Sequence, residues 1–240
     1  MKKRPRSTMD SIRVSEAPDS SSILDEAATF FHTFSSFILF LAFFLSLFFG
    51  NQKSYSQTFE ADILQAIQAN SSPFLDQTMH WTSESAAPVA LLLPASTLAI
   101  SYLKKDKDLR KQALFWGEGV VINTILVTAL KKGLKRERPF DTYPSIHKWG
   151  SGGSYSMPSG HTSNAFSIAT TVSISYPKWY VIAPAYVWAS SVAFSRMYLG
   201  AHYPSDILAG ALLGAGSAFI SYKLNHWLWE SSKSRKRKYQ

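Results

Sequence analysis

The sequence predicts an all-α fold, a bundle of six transmembrane helices, and three observations predict it. Apolar residues are gathered into six blocks that lack charge. Charged residues make up 17% of the chain, below the roughly 25% usual in soluble domains. The basic residues alternate in number from one inter-block segment to the next. The mean hydropathy of −0.05 is diluted by polar tails and loops, so the segments carry the argument. With no cysteine among 240 residues, the chain has neither a disulfide framework nor a thiolate metal site.

Residues 1–29 are polar, mix acids with bases and contain the Ser20–Ser22 run; they read as a disordered cytoplasmic tail. Ala27 to Gln52 then contains no Asp, Glu, Lys or Arg, and Phe37–Phe49 is almost wholly Phe, Leu and Ile. About 20 such residues cross a bilayer. The block lies far from the start and lacks a small-residue cleavage site, so it reads as an uncleaved first helix. Phe59, Ile63, Leu64 and Ile67 recur at helical spacing, as in a short helix lying in the outer interface or packed as a loop helix.

Further uncharged blocks cover Ser85–Leu103, Gly119–Leu130, Thr162–Pro177, Trp179–Ser195 and Ile207–Tyr222. Gln112–Trp116 complete the third span, which carries Glu118 as its lone acid; a bundle-facing or cytoplasmic-interface role is expected for it. Gly210 and Gly214 in the last block are a small-xxx-small pair that predicts a close helix contact. Residues 30–226 thus form the membrane domain, and 227–240 a basic cytoplasmic tail.

A formal charge of +9 admits nucleic acid, anionic lipid or topology-setting loops as its reason. Five basic residues lie in the N-terminal tail, five at Lys104–Lys111, one at Lys178 and six from Lys223 onward, against one, Lys53, between the first two spans. With both termini cytoplasmic this is the positive-inside pattern, and nucleic acid is not needed as a partner. Seven basic residues break the pattern: Lys131, Lys132, Lys135, Arg136, Arg138, Lys148 and Arg196 all fall on the outer side. Such a cluster points to an anionic ligand or to outer headgroups.

Three short patterns sharpen that reading. Lys131 and Arg138 are seven residues apart, about 10 Å of rise, so on a continuing helix they share a face; Gly133 weakens that helix and Pro139 stops it. Met157-Pro158-Ser159-Gly160-His161 precedes the fourth span, with Ser159 as N-cap and Gly160 letting backbone N–H groups approach an anion. Ser195-Arg196, His202 and Asp206 lie around the last loop. A carboxylate four residues after a histidine can accept its ring N–H and leave the other nitrogen as a free lone pair, and Pro204 can begin the last helix with Asp206 in its first turn.

Taken together, Lys131 through Arg138-Pro139, Pro158-Ser159-Gly160-His161, and Ser195-Arg196 through His202 and Asp206 resemble the three-part signature of the type-2 phosphatidic acid phosphatase superfamily, over about Phe59–Tyr222. The resemblance implies a six-helix fold with its active site at the non-cytoplasmic face. It also implies hydrolysis of a lipid phosphomonoester or diphosphate through a phosphohistidine, with no metal or other cofactor. In that reading His202 attacks phosphorus, Asp206 orients it and His161 protonates the leaving oxygen, while Lys131, Arg138, Ser159, Gly160 and Arg196 bind the phosphoryl oxygens. Three cations can supply the charge stabilisation usually given to magnesium. His32, His80, His147 and His226 read as interfacial or surface residues, His147 being the nearest to the motifs.

Vanadate-dependent haloperoxidases share these motifs, and a lipid-phosphate binding or transport protein could keep the cationic pocket without turnover; these are the alternatives. The expected partners are a lipid phosphate or polyprenyl diphosphate and membrane lipids; the sequence does not choose among phosphatidate, phosphatidylglycerol phosphate, polyprenyl diphosphate and phosphorylated lipid A as the substrate. The expected location is a bacterial inner membrane with the site facing the periplasm.

Overall fold

The computed structural model describes residues 35, 55–149 and 152–237. The expected N-terminal tail and, apart from Ser35, the expected first span lie outside them. Among the described residues the regular elements are eight helices: α1 Tyr55–Gln68, α2 Pro73–Glu84, α3 Ala86–Leu103, α4 Lys107–Leu134, α5 Pro139–Thr142, α6 Gly160–Ser175, α7 Trp179–Tyr198 and α8 Pro204–Arg237.

Local chemistry sets the ends of these helices. Ser72 caps α2, its hydroxyl accepting from the Leu75 N–H at 3.3 Å, with Pro73 in the first turn, where a missing N–H costs nothing. Asp106 caps α4 by accepting from the N–H groups of Asp108 at 2.9 Å and Leu109 at 3.0 Å. Lys135 ends α4 in the left-handed region, φ 50°, its N–H bonded to the Lys131 carbonyl. The helix therefore does not continue to Arg138, contrary to the shared-face expectation: the turn at Lys135 releases the chain, and Arg138 sits in extended backbone before Pro139.

Among the described residues three helical stretches are long and apolar enough to cross a membrane: Pro73–Leu103, Lys107–Thr142 and Pro204–Trp227. Their outward residues include Leu91, Leu92, Val121, Ile125, Leu208 and Phe219, all exposed. Large apolar side chains outside and polar ones inside suit lipid as the outer solvent, where close packing and interhelical hydrogen bonds replace the hydrophobic drive between helices. α6 is central, packed against α8, α7, α4 and α3. On its α7 side the core is built of small apolar residues: Ala86, Ala165, Ala169, Ala189 and Val192.

On its other side α6 meets α4 and α8 through small and polar residues. A Cβ on Gly214 would lie 2.1 Å from the Ser163 carbonyl oxygen, and one on Gly210 2.7 Å from that of Ser159, which gives the glycine pair its partner. Asn123, wholly buried on α4, accepts from the Ser163 hydroxyl and donates to Asn164 Oδ1 at 2.7 Å, while Ser217 of α8 lies 3.5 Å from its oxygen. Further along, Glu118 accepts from Asn225 Nδ2 and faces the Ser221 hydroxyl at 3.5 Å. Glu118 thus faces the bundle, on α8.

Candidate active site

The three motifs meet where α4, α6, α7 and α8 converge at one end of the bundle. Asp206 lies in the first turn of α8, which Pro204 begins, and is fully buried. The Tyr203 N–H donates to its Oδ2 at 2.9 Å, the Ser156 hydroxyl donates to the same oxygen, and Arg136 Nη1 donates to Oδ1 at 2.7 Å. His202 is 1% exposed. Its Nδ1 faces Asp206 Oδ2 at 3.5 Å and the Ser156 hydroxyl at 3.4 Å, and its Nε2 lies 3.3 Å from Arg138 Nη1.

That last contact fixes the tautomer. A guanidinium can only donate, so Nε2 is the acceptor and the ring proton resides on Nδ1, toward Asp206 and Ser156. Burial, reinforced by the fields of Arg196 and Arg138 and opposed by Asp206, pushes the His202 pKa down from 6.5 to about 3. The imidazole is neutral, with its Nε2 lone pair beside a cation.

Arg138 is 5% exposed and held by three contacts: Nε donates to the Ser154 carbonyl at 2.7 Å, and Nη1 donates to Ala201 O at 2.9 Å besides meeting His202. Lys131, in the last turn of α4, donates to the Tyr155 carbonyl and lies 3.5 Å from that of Ser156. Arg196 is 1% exposed at the end of α7, its Nη1 donating to the buried Ser83 hydroxyl at 2.6 Å. His161, half-buried in the first turn of α6, is within electrostatic reach of Arg196, Arg138 and Lys131. The sequence-predicted residues are thus brought together.

Ser159 is a partial correction. It occupies the N-cap position of α6, yet its hydroxyl meets that of Thr162 at 2.9 Å and makes no cap bond; its own N–H donates to the Asp206 carbonyl at 3.0 Å. Gly160, the first residue of α6, has only Val127 Cγ1 within 4 Å of a Cβ position, at 3.7 Å. The His147 ring stacks on Trp149, which stacks on Tyr198.

Sequence reasoning placed Arg136 in the basic cluster without giving it a task, and gave none to Ser156 or Glu60. Arg136 bridges Asp206 and Glu60, its Nη2 lying 2.6 Å from Glu60 Oε2, and its guanidinium stacks 4.1 Å from the Tyr203 ring centroid. Among the described residues no group of three or more His, Asp or Glu side chains could hold a metal ion.

A membrane-type helical bundle that gathers buried cations around a neutral histidine defines a class of proteins built to handle a phosphoryl-like anion. The chain belongs to the PAP2 superfamily, whose model matches residues 112–230. It is 30% identical over 154 residues to phosphatidylglycerophosphatase B of Bacillus subtilis, covering 59% of this chain and 71% of that one. It is 28% identical over 167 residues to undecaprenyl-diphosphatase of Sulfolobus acidocaldarius, covering 69% and 78%. Similarity to lipid A 4'-phosphatase of Bacteroides thetaiotaomicron, 34% over 77 residues, spans only 32% of this chain and 34% of that one. In fold the chain is similar to the transmembrane PAP2-type phosphatidylglycerolphosphate phosphatase crystallised from Bacillus subtilis, with a TM-score of 0.63 at 23% identity over 80% of this chain and 95% of that one.

Proposed function

We propose that the chain is a membrane lipid phosphate phosphatase that hydrolyses a lipid phosphomonoester or diphosphate through a phosphohistidine on His202, without metal. The observation that carries the reading is the single acceptor lone pair of a buried imidazole: Nδ1 is turned to Asp206 and Ser156, and the Nε2 lone pair points to Arg138 at 3.3 Å. A phosphoryl group drawn to Arg138, Lys131 and Arg196 meets that lone pair. The P–N bond to Nε2 forms as the bond from phosphorus to the leaving oxygen breaks, and His161 gives that oxygen its proton. Water then cleaves the P–N bond, its proton passing to the His161 imidazole, which releases phosphate and regenerates neutral His202 and protonated His161. Asp206 stabilises the positive charge that His202 gains while phosphorylated, and Gly160, next to Ser159, offers its backbone N–H at the start of α6.

The relatives' names, a phosphatidylglycerophosphatase, an undecaprenyl-diphosphatase and a lipid A phosphatase, support a substrate with an anionic phosphate on an apolar anchor. The charge pattern supports six spans and a site facing away from the cytoplasm, as at the periplasmic face of a bacterial inner membrane. The test is phosphate release in detergent from a panel of phosphatidate, phosphatidylglycerol phosphate, a polyprenyl diphosphate and lipid A, in chelator. Acid-labile phosphate on the wild type and none on His202→Ala is the expected result. Turnover by His202→Ala, or its abolition by chelator, refutes the mechanism.

A further inference from the structure

Glu60 lies outside all three motifs, 76 residues before Arg136 in sequence, yet it sits one contact behind the Asp206 carboxylate. It is 8% exposed on α1. Its Oε2 pairs with Arg136 Nη2 at 2.6 Å, and its Oε1 accepts the Ser205 N–H at 2.9 Å. Arg136 completes the bridge: Nη1 donates to Asp206 Oδ1 at 2.7 Å and to the Ser205 hydroxyl at 2.6 Å. The carboxylate oxygen that His202 faces, Oδ2, is left to Ser156, the Tyr203 N–H and the imidazole.

We propose that Glu60 and Arg136 are positioning residues that act through Asp206 on His202. Removing either partner of a buried charged pair leaves the other uncompensated, so the pair fixes the rotamer of Asp206 as well as its charge. Docking α1 does not require it. Leu64 and Ala61 pack with Ile146 and Tyr203, and Gln68 donates to the carbonyls of His147 and Tyr198 and accepts from the His147 N–H. What Glu60 adds is a charge aimed at Arg136. The charged groups bearing on His202 are Asp206 of α8, Arg138 ahead of α5 and Arg196 of α7, with Arg136 and Glu60 behind Asp206. Arg136 draws the carboxylate's charge to Oδ1 and so weakens its support for an imidazolium. Without Arg136, Asp206 favours the protonated ring more strongly, and His202 takes up a proton at higher pH.

The inference rests on the proposed roles of His202 and Asp206, and full-chain enzyme in detergent tests both. Arg136→Gln is expected to lower kcat roughly ten- to a hundredfold, the scale at which outer partners of reacting groups act, with KM within about twofold. The acid limb of kcat/KM moves to higher pH, and Arg136→Lys restores part of the rate. Because Glu60 acts through Arg136, the double variant Glu60→Gln/Arg136→Gln is no slower than Arg136→Gln alone. An unmoved acid limb, or losses that multiply, overturns the proposal. Should Arg136→Gln fail to fold, the isosteric Glu60→Gln decides: a phosphorylation burst per folded molecule equal to wild type overturns it. A burst that survives in His202→Ala removes the catalytic reading itself, whereas its loss there beside unaffected Glu60 and Arg136 variants removes only the positioning role.

Discussion

Replacing Gly214 by alanine places a methyl carbon 2.1 Å from the Ser163 carbonyl oxygen and 2.9 Å from both the Ser163 carbonyl carbon and the Ser167 nitrogen. All three are backbone atoms of α6, so no side chain can swing away. Ordinary contact begins near 3.4 Å, and α6 and α8 must separate by about 1.3 Å, the difference between the two distances. Overpacking of this kind costs about 1–3 kcal/mol. The displacement is felt at the site as well, because α6 carries Ser159, Gly160 and His161, α8 carries Asp206, and one hydrogen bond of 3.0 Å from the Ser159 N–H to the Asp206 carbonyl joins them. A misplacement near 1 Å costs about 10²-fold in rate. Gly214→Ala is therefore expected to lower both the melting temperature in detergent and kcat, the latter roughly a hundredfold. Gly117→Ala is the control: on the same bundle, with nothing within 4 Å of its Cβ position, it is expected to be neutral or to gain up to about 1 kcal/mol from helix propensity. A Gly214→Ala enzyme with wild-type melting and kcat refutes the reasoning.

Three further outcomes are expected. With an aryl phosphate, whose phenolate leaves unaided, His161→Ala retains a burst of aryl alcohol while His202→Ala shows none; the reverse exchanges acid and nucleophile. Since the chain has no cysteine, single cysteines at the exposed Ser145 and Asp106 read topology: an impermeant thiol reagent outside spheroplasts labels the first and not the second, and the opposite pattern inverts the membrane orientation. The third concerns pH. The folded-state pKa of His202 is depressed from 6.5 to about 3, so the unfolded chain binds a proton that the native site refuses; stability from this group is full above pH 6.5 and is lost as pH falls toward 3, by up to about 1.4 kcal/mol per pH unit. The difference in melting temperature between wild type and His202→Gln therefore shrinks or reverses as pH is lowered through that window, and a difference independent of pH contradicts a buried neutral ring.

Much of the site was legible because its chemistry is local. The four-residue step from His202 to Asp206, Pro204 at the start of α8 and the glycine pair at 210 and 214 each constrain their neighbours within one or two turns. What sequence could not supply was decided by distance in space. The left-handed residue Lys135 breaks the helix that spacing alone would run from Lys131 to Arg138. Ser159 carries the right side chain for a cap but gives it to Thr162, while its N–H goes to a partner on α8. Glu60 resembled any polar residue on an amphipathic helix, and the apolar positions around it divide: Leu64 is buried whereas Phe59 is 67% exposed. Its one distinguishing sign is an acid on a helix whose other buried members, Ala61, Leu64 and Gln68, place it on the inward face.

Asn123 has a consequence for how the chain assembles. Its side chain has no partner on its own helix: the groups that satisfy it are Ser163 and Asn164, which follow it by about 40 residues, and Ser217, which follows by 94. Glu118 waits longer still, for Ser221 and Asn225. A growing chain that has delivered α4 to the bilayer therefore holds an amide and a carboxyl in hydrocarbon with their hydrogen bonds still to come, and α6 relieves only the first. These groups are all satisfied only once α8 has packed against α4 and α6, so α8 acts as a bolt on the bundle.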